Sequence, residues 1–275
     1  MQISLKERHG AAASPSPPPG AAADWTVPQH WDAYDAEDHA VWDILFARQQ
    51  RLLAGRAVDA FHQSLDVLRL SRPGIPRLQE LNERLSARTG WQVVAVPGLV
   101  PDDVFFRHLS ERRFPAGNFI RRRHELDYLE EPDIFHDLFG HVPLLAQPAV
   151  ADFMQALGEL GLCAIDRGVL HRLGRLYWYT VEFGLTRGAA GGLRIHGAGL
   201  LSSFGEARRA VESPIPVRRP FDLRTAIRTP YRNDAMQPLY FVVERFEDML
   251  GILEREDFMA VCAEVADLPD LAAEG

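Results

Sequence analysis

Two histidines, His136 and His141, sit five positions apart in HDLFGHVPLL (136–145), a run otherwise nearly all apolar. An imidazole in such a setting either bonds backbone carbonyls as an ordinary core side chain or offers a lone pair to a metal ion. On an ideal α-helix five residues turn about 500°, leaving the two rings roughly 140° apart around the axis. They do not share a face as the histidines of an H-E-x-x-H helix do. Gly140 is a natural helix terminator and Pro143 continues a helix poorly. The expectation is a helix from about Pro132 that breaks at Gly140 and swings His141 back toward His136.

A carboxylate stands in a similarly apolar setting at Glu182, in LYWYTVEFGL (176–185). Desolvating an ionised carboxylate costs several kcal/mol unless it is paired or bound to a metal. A salt bridge to an arginine would satisfy it, and so would a metal. Trp178 and Glu182 are four apart, which puts them on one α-helical face. Together His136, His141 and Glu182 form a two-histidine, one-carboxylate set. On an octahedral ion this set leaves three positions open and suits non-haem Fe(II) oxygen chemistry. Zinc with a catalytic water uses the same residue types. A zinc hydrolase is disfavoured because no glutamate stands beside the histidines as a general base, and Asp137 is a weaker candidate.

The elements that must carry these residues are mostly helical. Asp35 is a candidate N-cap for a first helix stopping near Gly55, with Val41, Leu45 and Leu52 at helical spacing. Phe61, Leu65 and Leu68 mark a second helix, and Leu78, Leu81 and Leu85 a third that ends at Gly90. Residues 91–98 read as a strand, 102–114 as helix and 117–121 as strand. Helical patterns follow over 132–140, 149–166, 171–187 and 203–213. A short strand is expected within 192–199, and a strand running into a terminal helix over 238–257. The fold class is therefore mainly α with a few short β-strands, in one domain over 25–275. The tract GAAASPSPPPGAAA (10–23) cannot build a core, so residues 1–24 are expected to form a loose tail.

The chain has 275 residues, a formal charge of −8 and two cysteines, Cys163 and Cys262. That charge argues against a nucleic-acid binder. Neither a secretory signal nor an unbroken apolar run of membrane-spanning length is present, so a cytoplasmic protein without a membrane partner is expected. Arg121-Arg122-Arg123 and Arg218-Arg219 read as surface patches. No P-loop or Gly-rich dinucleotide fingerprint occurs.

Three stretches, EPDIFHDLFGHVPLL, YWYTVEFGL and GAGLLSSFGE, resemble the pterin-dependent aromatic amino acid hydroxylases, most nearly the short bacterial phenylalanine-hydroxylating members. The resemblance covers roughly residues 30 to 260. It implies a basket-like helical catalytic domain that uses Fe(II), a tetrahydropterin such as tetrahydrobiopterin, and O2 to hydroxylate an aromatic ring. By motif, His136, His141 and Glu182 become the iron ligands. The pterin is expected along PGLVPDDVFF, with Phe105 stacking on it, the backbone of Gly98, Leu99 and Val100 bonding its edge, and Asp137 and Tyr177 bordering the same space. Arg121 matches the arginine for the substrate carboxylate. Pro132, Trp178 and Phe183 match the pocket walls, and Ser202 a substrate-side hydroxyl.

Two positions depart from the family pattern. Leu129 replaces a threonine of animal members. Asn233 stands where phenylalanine hydroxylases carry an aliphatic residue and tyrosine hydroxylases an aspartate. The implied reaction is thus phenylalanine 4-hydroxylation, with tryptophan or tyrosine hydroxylation as the alternative. A non-enzymatic amino-acid binder on the same scaffold would not need the iron face. With no regulatory domain before residue 25 and no heptad helix at the end, a monomer acting on small molecules is expected.

Overall fold

The computed structural model describes residues 16–127, 131–189 and 191–273, so Leu129 and the first fifteen residues of the expected tail lie outside it. The first long helix, α1 (Ala36–Leu53), starts where the sequence places it. The Asp35 carboxylate accepts the Asp38 N–H at 2.9 Å, and the Asp38 carboxylate accepts the Asp35 N–H at 3.2 Å, a reciprocal capping box. The stripe Val41, Trp42, Leu45, Phe46, Leu52 and Leu53 is buried. Next come α2 (Asp59–Leu68) and α3 (Leu78–Thr89), the latter capped by Gly90 at φ +76°. The segment before Trp25 is already anchored: the Asp24 carboxylate accepts from Arg113 Nη1 at 2.9 Å, and its carbonyl lies 2.8 Å from His108 Nε2.

A βαβ unit follows. Strand β1 (Gln92–Val96), helix α4 (Asp102–Ser110) and strand β2 (Arg113–Gly117) are consecutive, and β2 pairs parallel with β1 from Gln92↔Arg113 to Val96↔Gly117. The helix expected through residue 114 stops at Ser110, and Arg112 takes a left-handed φ of +55°. The strand expected over 117–121 falls at 113–117 instead. Backbone pairing with β1 outweighs the helical pattern of side chains there.

The centre of the molecule holds α5 (Val142–Leu145), α6 (Pro148–Asp166) and α7 (Leu170–Tyr177). By length and composition α6 could cross a membrane, with mean hydropathy 1.2. Instead its buried face, including Phe153, Met154, Leu157, Gly158 and Gly161, packs on α4. A Cβ built on Gly158 would lie 2.2 Å from the Ser110 nitrogen and 2.6 Å from the Leu109 carbonyl carbon. The two helix backbones are in near contact there.

The second sheet runs β4-β3-β6-β5, with β3 (Leu185–Arg187), β4 (Leu193–Ile195), β5 (Val217–Pro220) and β6 (Leu239–Val243). The β3–β4 pair is antiparallel, and β6 is parallel to both β3 and β5. Between the strands lie α8 (Ala198–Ser202), α9 (Phe204–Glu212) and α10 (Leu223–Ala226). Strand β6 leads into α11 (Phe246–Leu250), α12 (Ile252–Arg255) and α13 (Phe258–Glu264). One cluster of buried apolar side chains extends from Val41 to Val265, and a smaller one around Trp178, Tyr179 and Phe241 lies beside it. The fold is mainly helical with few short strands, as the patterns imply.

Two stability effects follow from this packing. Propensity alone says that Gly158→Ala should stabilise α6 by about 0.5–1 kcal/mol. The approach to α4 reverses the sign, and a loss of about 3 kcal/mol is expected in urea unfolding; an unchanged or raised midpoint would refute the close packing. His196, just after β4, is buried, and burial pushes its imidazole down to about 4 from the ordinary 6.5. Below pH 6.5 the unfolded chain takes up a proton that the folded chain refuses. Stability therefore falls as pH drops from about 6.5 toward 4, by roughly 2 kcal/mol at pH 5. In His196→Gln the drop in stability between pH 7 and pH 5 should shrink by that amount.

Candidate functional site

The histidine pair does not sit on a broken helix. Residues His136–His141 form a π-helical turn continuous with α5, closed by the Val142 N–H on the Asp137 carbonyl. A π turn bonds residues five apart, so it brings i and i+5 together as an α-helix brings i and i+4. The two Nε2 atoms lie 3.2 Å apart. Gly140 serves packing rather than termination: a Cβ there would meet the Ala198 carbonyl oxygen at 2.7 Å, so its absence lets α8 close against the turn. Pro143 stands in the first turn of α5, where proline is tolerated.

Glu182 arrives by the same device. Trp178–Glu182 is a second π turn, continuous with α7, in which the Phe183 N–H bonds the Trp178 carbonyl at 2.8 Å. Glu182 Oε1 lies 3.0 Å from His141 Nε2, and Oε2 lies 3.8 Å from His136 Nε2. His136, His141 and Glu182 could together hold one metal ion, with a ligand atom from each within 4.8 Å of the others.

The protonation states fit that use. Burial holds His136 well below its ordinary value, with the nearby Arg121 cation adding to it. Burial likewise lowers His141 against the pull of Glu182. Burial works to raise Glu182, but the adjacent His141 and a hydrogen bond from the Gly199 backbone act together with the nearby positive charge to keep the carboxyl below its usual range. The orientation of His136 is also determined. The Ser202 hydroxyl donates to the Ala198 carbonyl at 2.9 Å, so at 2.8 Å from His136 Nδ1 it can only accept. Nδ1 then carries the proton and Nε2 a lone pair aimed at the shared point. With the proton on His141 Nε2 displaced, two imidazole lone pairs and a carboxylate converge on one point, the arrangement a bound cation stabilises. The donor set therefore fits a metal.

His136 and Glu182 lie on the wall of a cavity of about 150 Å³, lined also by Arg121, Pro132, Phe183, Ser202 and Asn233. Most of the expected substrate set is thus brought together. Trp178 is one layer back, tilted against Phe183 at 4.6 Å and stacked on Tyr231 at 4.0 Å. Arg121 differs from expectation in one respect. One edge of its guanidinium is already engaged, Nε on Asp133 Oδ2 at 2.8 Å and Nη2 on Oδ1 at 2.9 Å. The other edge of the planar fork remains for a ligand. Asp133 also accepts the backbone N–H groups of Arg121 and His136, tying the arginine to the histidine turn. It stands in one of the motif stretches, but nothing in the sequence pairs it with an arginine twelve residues earlier.

The residues expected around a pterin lie on the other side of the histidine turn. Phe105, on α4, meets Tyr177 edge-on at 5.9 Å, and Tyr177 lies 6.4 Å from His141. Asp137 accepts the Gly117 N–H at 2.7 Å. Gly98, Leu99 and Val100 form the connection from β1 to α4, with Leu99 exposed. The buried Tyr177 hydroxyl has no hydrogen-bond partner among the described residues. A buried hydroxyl without a partner is costly, and a polar ligand seated here would supply one.

Residues 27–259 match the family model described as biopterin-dependent aromatic amino acid hydroxylase. A phenylalanine-4-hydroxylase of Caulobacter vibrioides is 53% identical over 262 residues, covering 95% of this chain and 88% of that protein. A phenylalanine hydroxylase structure from Chromobacterium violaceum with iron and phenylalanine bound superimposes with a TM-score of 0.87 at 46% identity, covering 94% of this chain and 93% of the other. A second from that organism, with iron(III) and 7,8-dihydrobiopterin, gives a TM-score of 0.87 at 48% identity over 94% and 92% of the two chains.

Ser202 carries the prediction from this geometry. Ser202→Ala removes the acceptor that fixes the His136 tautomer while leaving all three ligands in place. Affinity for Fe(II), read by competition with a chelator, should fall about 10–100-fold with the fold intact. Unchanged affinity would show that the serine does not orient the ring.

Proposed function

This chain belongs to the biopterin-dependent aromatic amino acid hydroxylases, and we propose that it is a phenylalanine 4-monooxygenase converting L-phenylalanine to L-tyrosine. One observation carries the reading: of the metal-ligating set His136, His141 and Glu182, His136 and Glu182 line a cavity that Arg121 also lines. A bound Fe(II) and a reduced pterin would supply the activation of O2 for ring hydroxylation. The three ligands would occupy one face of the iron and leave the opposite face to the cavity.

The chain's own groups would do the rest. The free edge of the Arg121 fork would take the α-carboxylate of the amino acid, charge-assisted and directional. Pro132 and Phe183, with Trp178 behind, would form apolar walls for the aromatic ring. Phe105 and the backbone at Gly98, Leu99 and Val100 would hold the pterin, with the Tyr177 hydroxyl and Asp137 at its border. Asn233 lines the substrate cavity. Its position supports the second reading, hydroxylation of tryptophan or tyrosine, since an amide offers a polar contact that an aliphatic side chain does not. Both cysteines are unpaired, which supports a reducing cytoplasm as the compartment.

The test is oxygen uptake and product analysis with metal-stripped protein, a reduced pterin and each of the three aromatic amino acids. Tyrosine should form from phenylalanine with added Fe(II) and not with Zn(II), and His136→Ala or Glu182→Ala should abolish it. Product with zinc and no oxygen uptake would overturn the reading. Faster turnover of tryptophan or tyrosine would move it to the second one.

A further inference from the structure

The cavity wall bearing Asn233 is held from behind by a buried carboxylate that the reaction does not otherwise use. Glu206, in the first turn of α9, is buried and lines the cavity. Its Oε1 accepts the backbone N–H of Gln237 at 2.8 Å and the Tyr240 hydroxyl at 2.5 Å. Gln237 is itself buried and fully engaged. Its side-chain oxygen accepts the Trp178 indole N–H at 3.0 Å. Its side-chain nitrogen donates to the carbonyls of Arg232 at 2.7 Å and Ala235 at 3.0 Å. Tyr231, at the start of the same loop, stacks face to face on Trp178, with ring centroids 4.0 Å apart and planes 10° apart. Trp178 in turn packs on Phe183, which lines the cavity.

These contacts form one connected unit. Residues 231–237 carry few buried apolar side chains of their own, and Arg232, Asn233, Asp234, Ala235 and Met236 are exposed. Such a loop holds one conformation only through its anchors. The anchors are Glu206, Gln237 and Trp178, so displacing any of them moves Asn233 and the ring wall together. Burial raises the Glu206 carboxyl, and the hydrogen bonds from Tyr240 and Gln237 work against that rise.

We propose that Glu206 and Gln237 are positioning residues that lock loop 231–237 to Trp178 and thereby set which aromatic ring the cavity accepts. This rests on the amino-acid hydroxylase reading of the cavity. Neither residue touches the reacting atoms. Their effect reaches the substrate through Asn233 and the Trp178–Phe183 wall.

The test has two arms. In the first, amide hydrogen exchange is followed over residues 231–237 in the metal-free protein, so no turnover is needed. Glu206→Ala and Gln237→Ala should each raise exchange there by about tenfold, the scale of one lost buried hydrogen bond. Glu206→Gln should restore protection, because its amide oxygen can accept the same two bonds. In the second, Gln237→Ala should raise KM for phenylalanine by about tenfold, change kcat by less than about threefold and reduce the preference for phenylalanine over tryptophan by about tenfold. If Glu206→Ala fails to fold, Glu206→Gln and Gln237→Ala carry the decision. A wild-type protein that hydroxylates none of the three amino acids would refute the function and leave the exchange arm standing. Normal turnover with unchanged exchange, KM and preference in Gln237→Ala would overturn this inference alone.

Discussion

Two imidazoles and a carboxylate face one another at 3.0 to 3.8 Å in a largely buried pocket, and as electron-pair donors they are held together by a positive charge, proton or metal, between them. Much of the surrounding structure can be understood as the means of keeping them there. The two segments that supply the donors are both π-helical, so each ligand is presented from a helix whose hydrogen bonds remain made. A helix is stiffer than a loop, and stiffness is what resists the mutual repulsion. Between the segments, α8 closes against the histidine turn at Gly140 and delivers the Ser202 hydroxyl to His136.

Around that centre the work is divided between separate anchors. Asp133 fixes the Arg121 guanidinium and, through a backbone N–H, the histidine turn, so the cation lining the cavity and the metal ligands share one support. Glu206 and Gln237 support the opposite wall, through Trp178 and the loop that carries Asn233. A change of ring preference can therefore be made in the second group without disturbing the donors of the first.

How much of this was legible in the sequence depends on the range of the interaction involved. Asp35 at the head of α1 and Gly90 after α3 are local signals, and both appear where expected. The three ligands were marked by chemistry, since two imidazoles and a carboxylate in apolar runs need partners. Their geometry was not legible, because an α-helical reading of a five-residue spacing puts the rings on different faces. The end of α4 and the start of β2 were misplaced because pairing with β1, a contact across the βαβ unit, decides them. The same holds for Asp133 with Arg121 and for Glu206 with Gln237, whose pairings exist only once distant segments meet. Resemblance suggested Arg121 for a carboxylate and Ser202 for a substrate-side hydroxyl, but not the edge of the guanidinium already occupied nor the hydrogen bond between Ser202 and His136.

The π turn at His136–His141 has a consequence for how this site tolerates change in chain length. Relative to an α-helix the turn carries one additional residue, and that residue alone brings His136 and His141 into line. Removing any single residue from 137–140 would leave the histidines four apart on a plain α-helix, about 40° from one another around the axis, so the pair itself would persist. The ligand pair thus depends on a match between spacing and helix type, five apart with the π turn or four apart with an α-helix. A one-residue insertion or deletion there can be absorbed by exchanging one helix type for the other, and the residues between the histidines then change face.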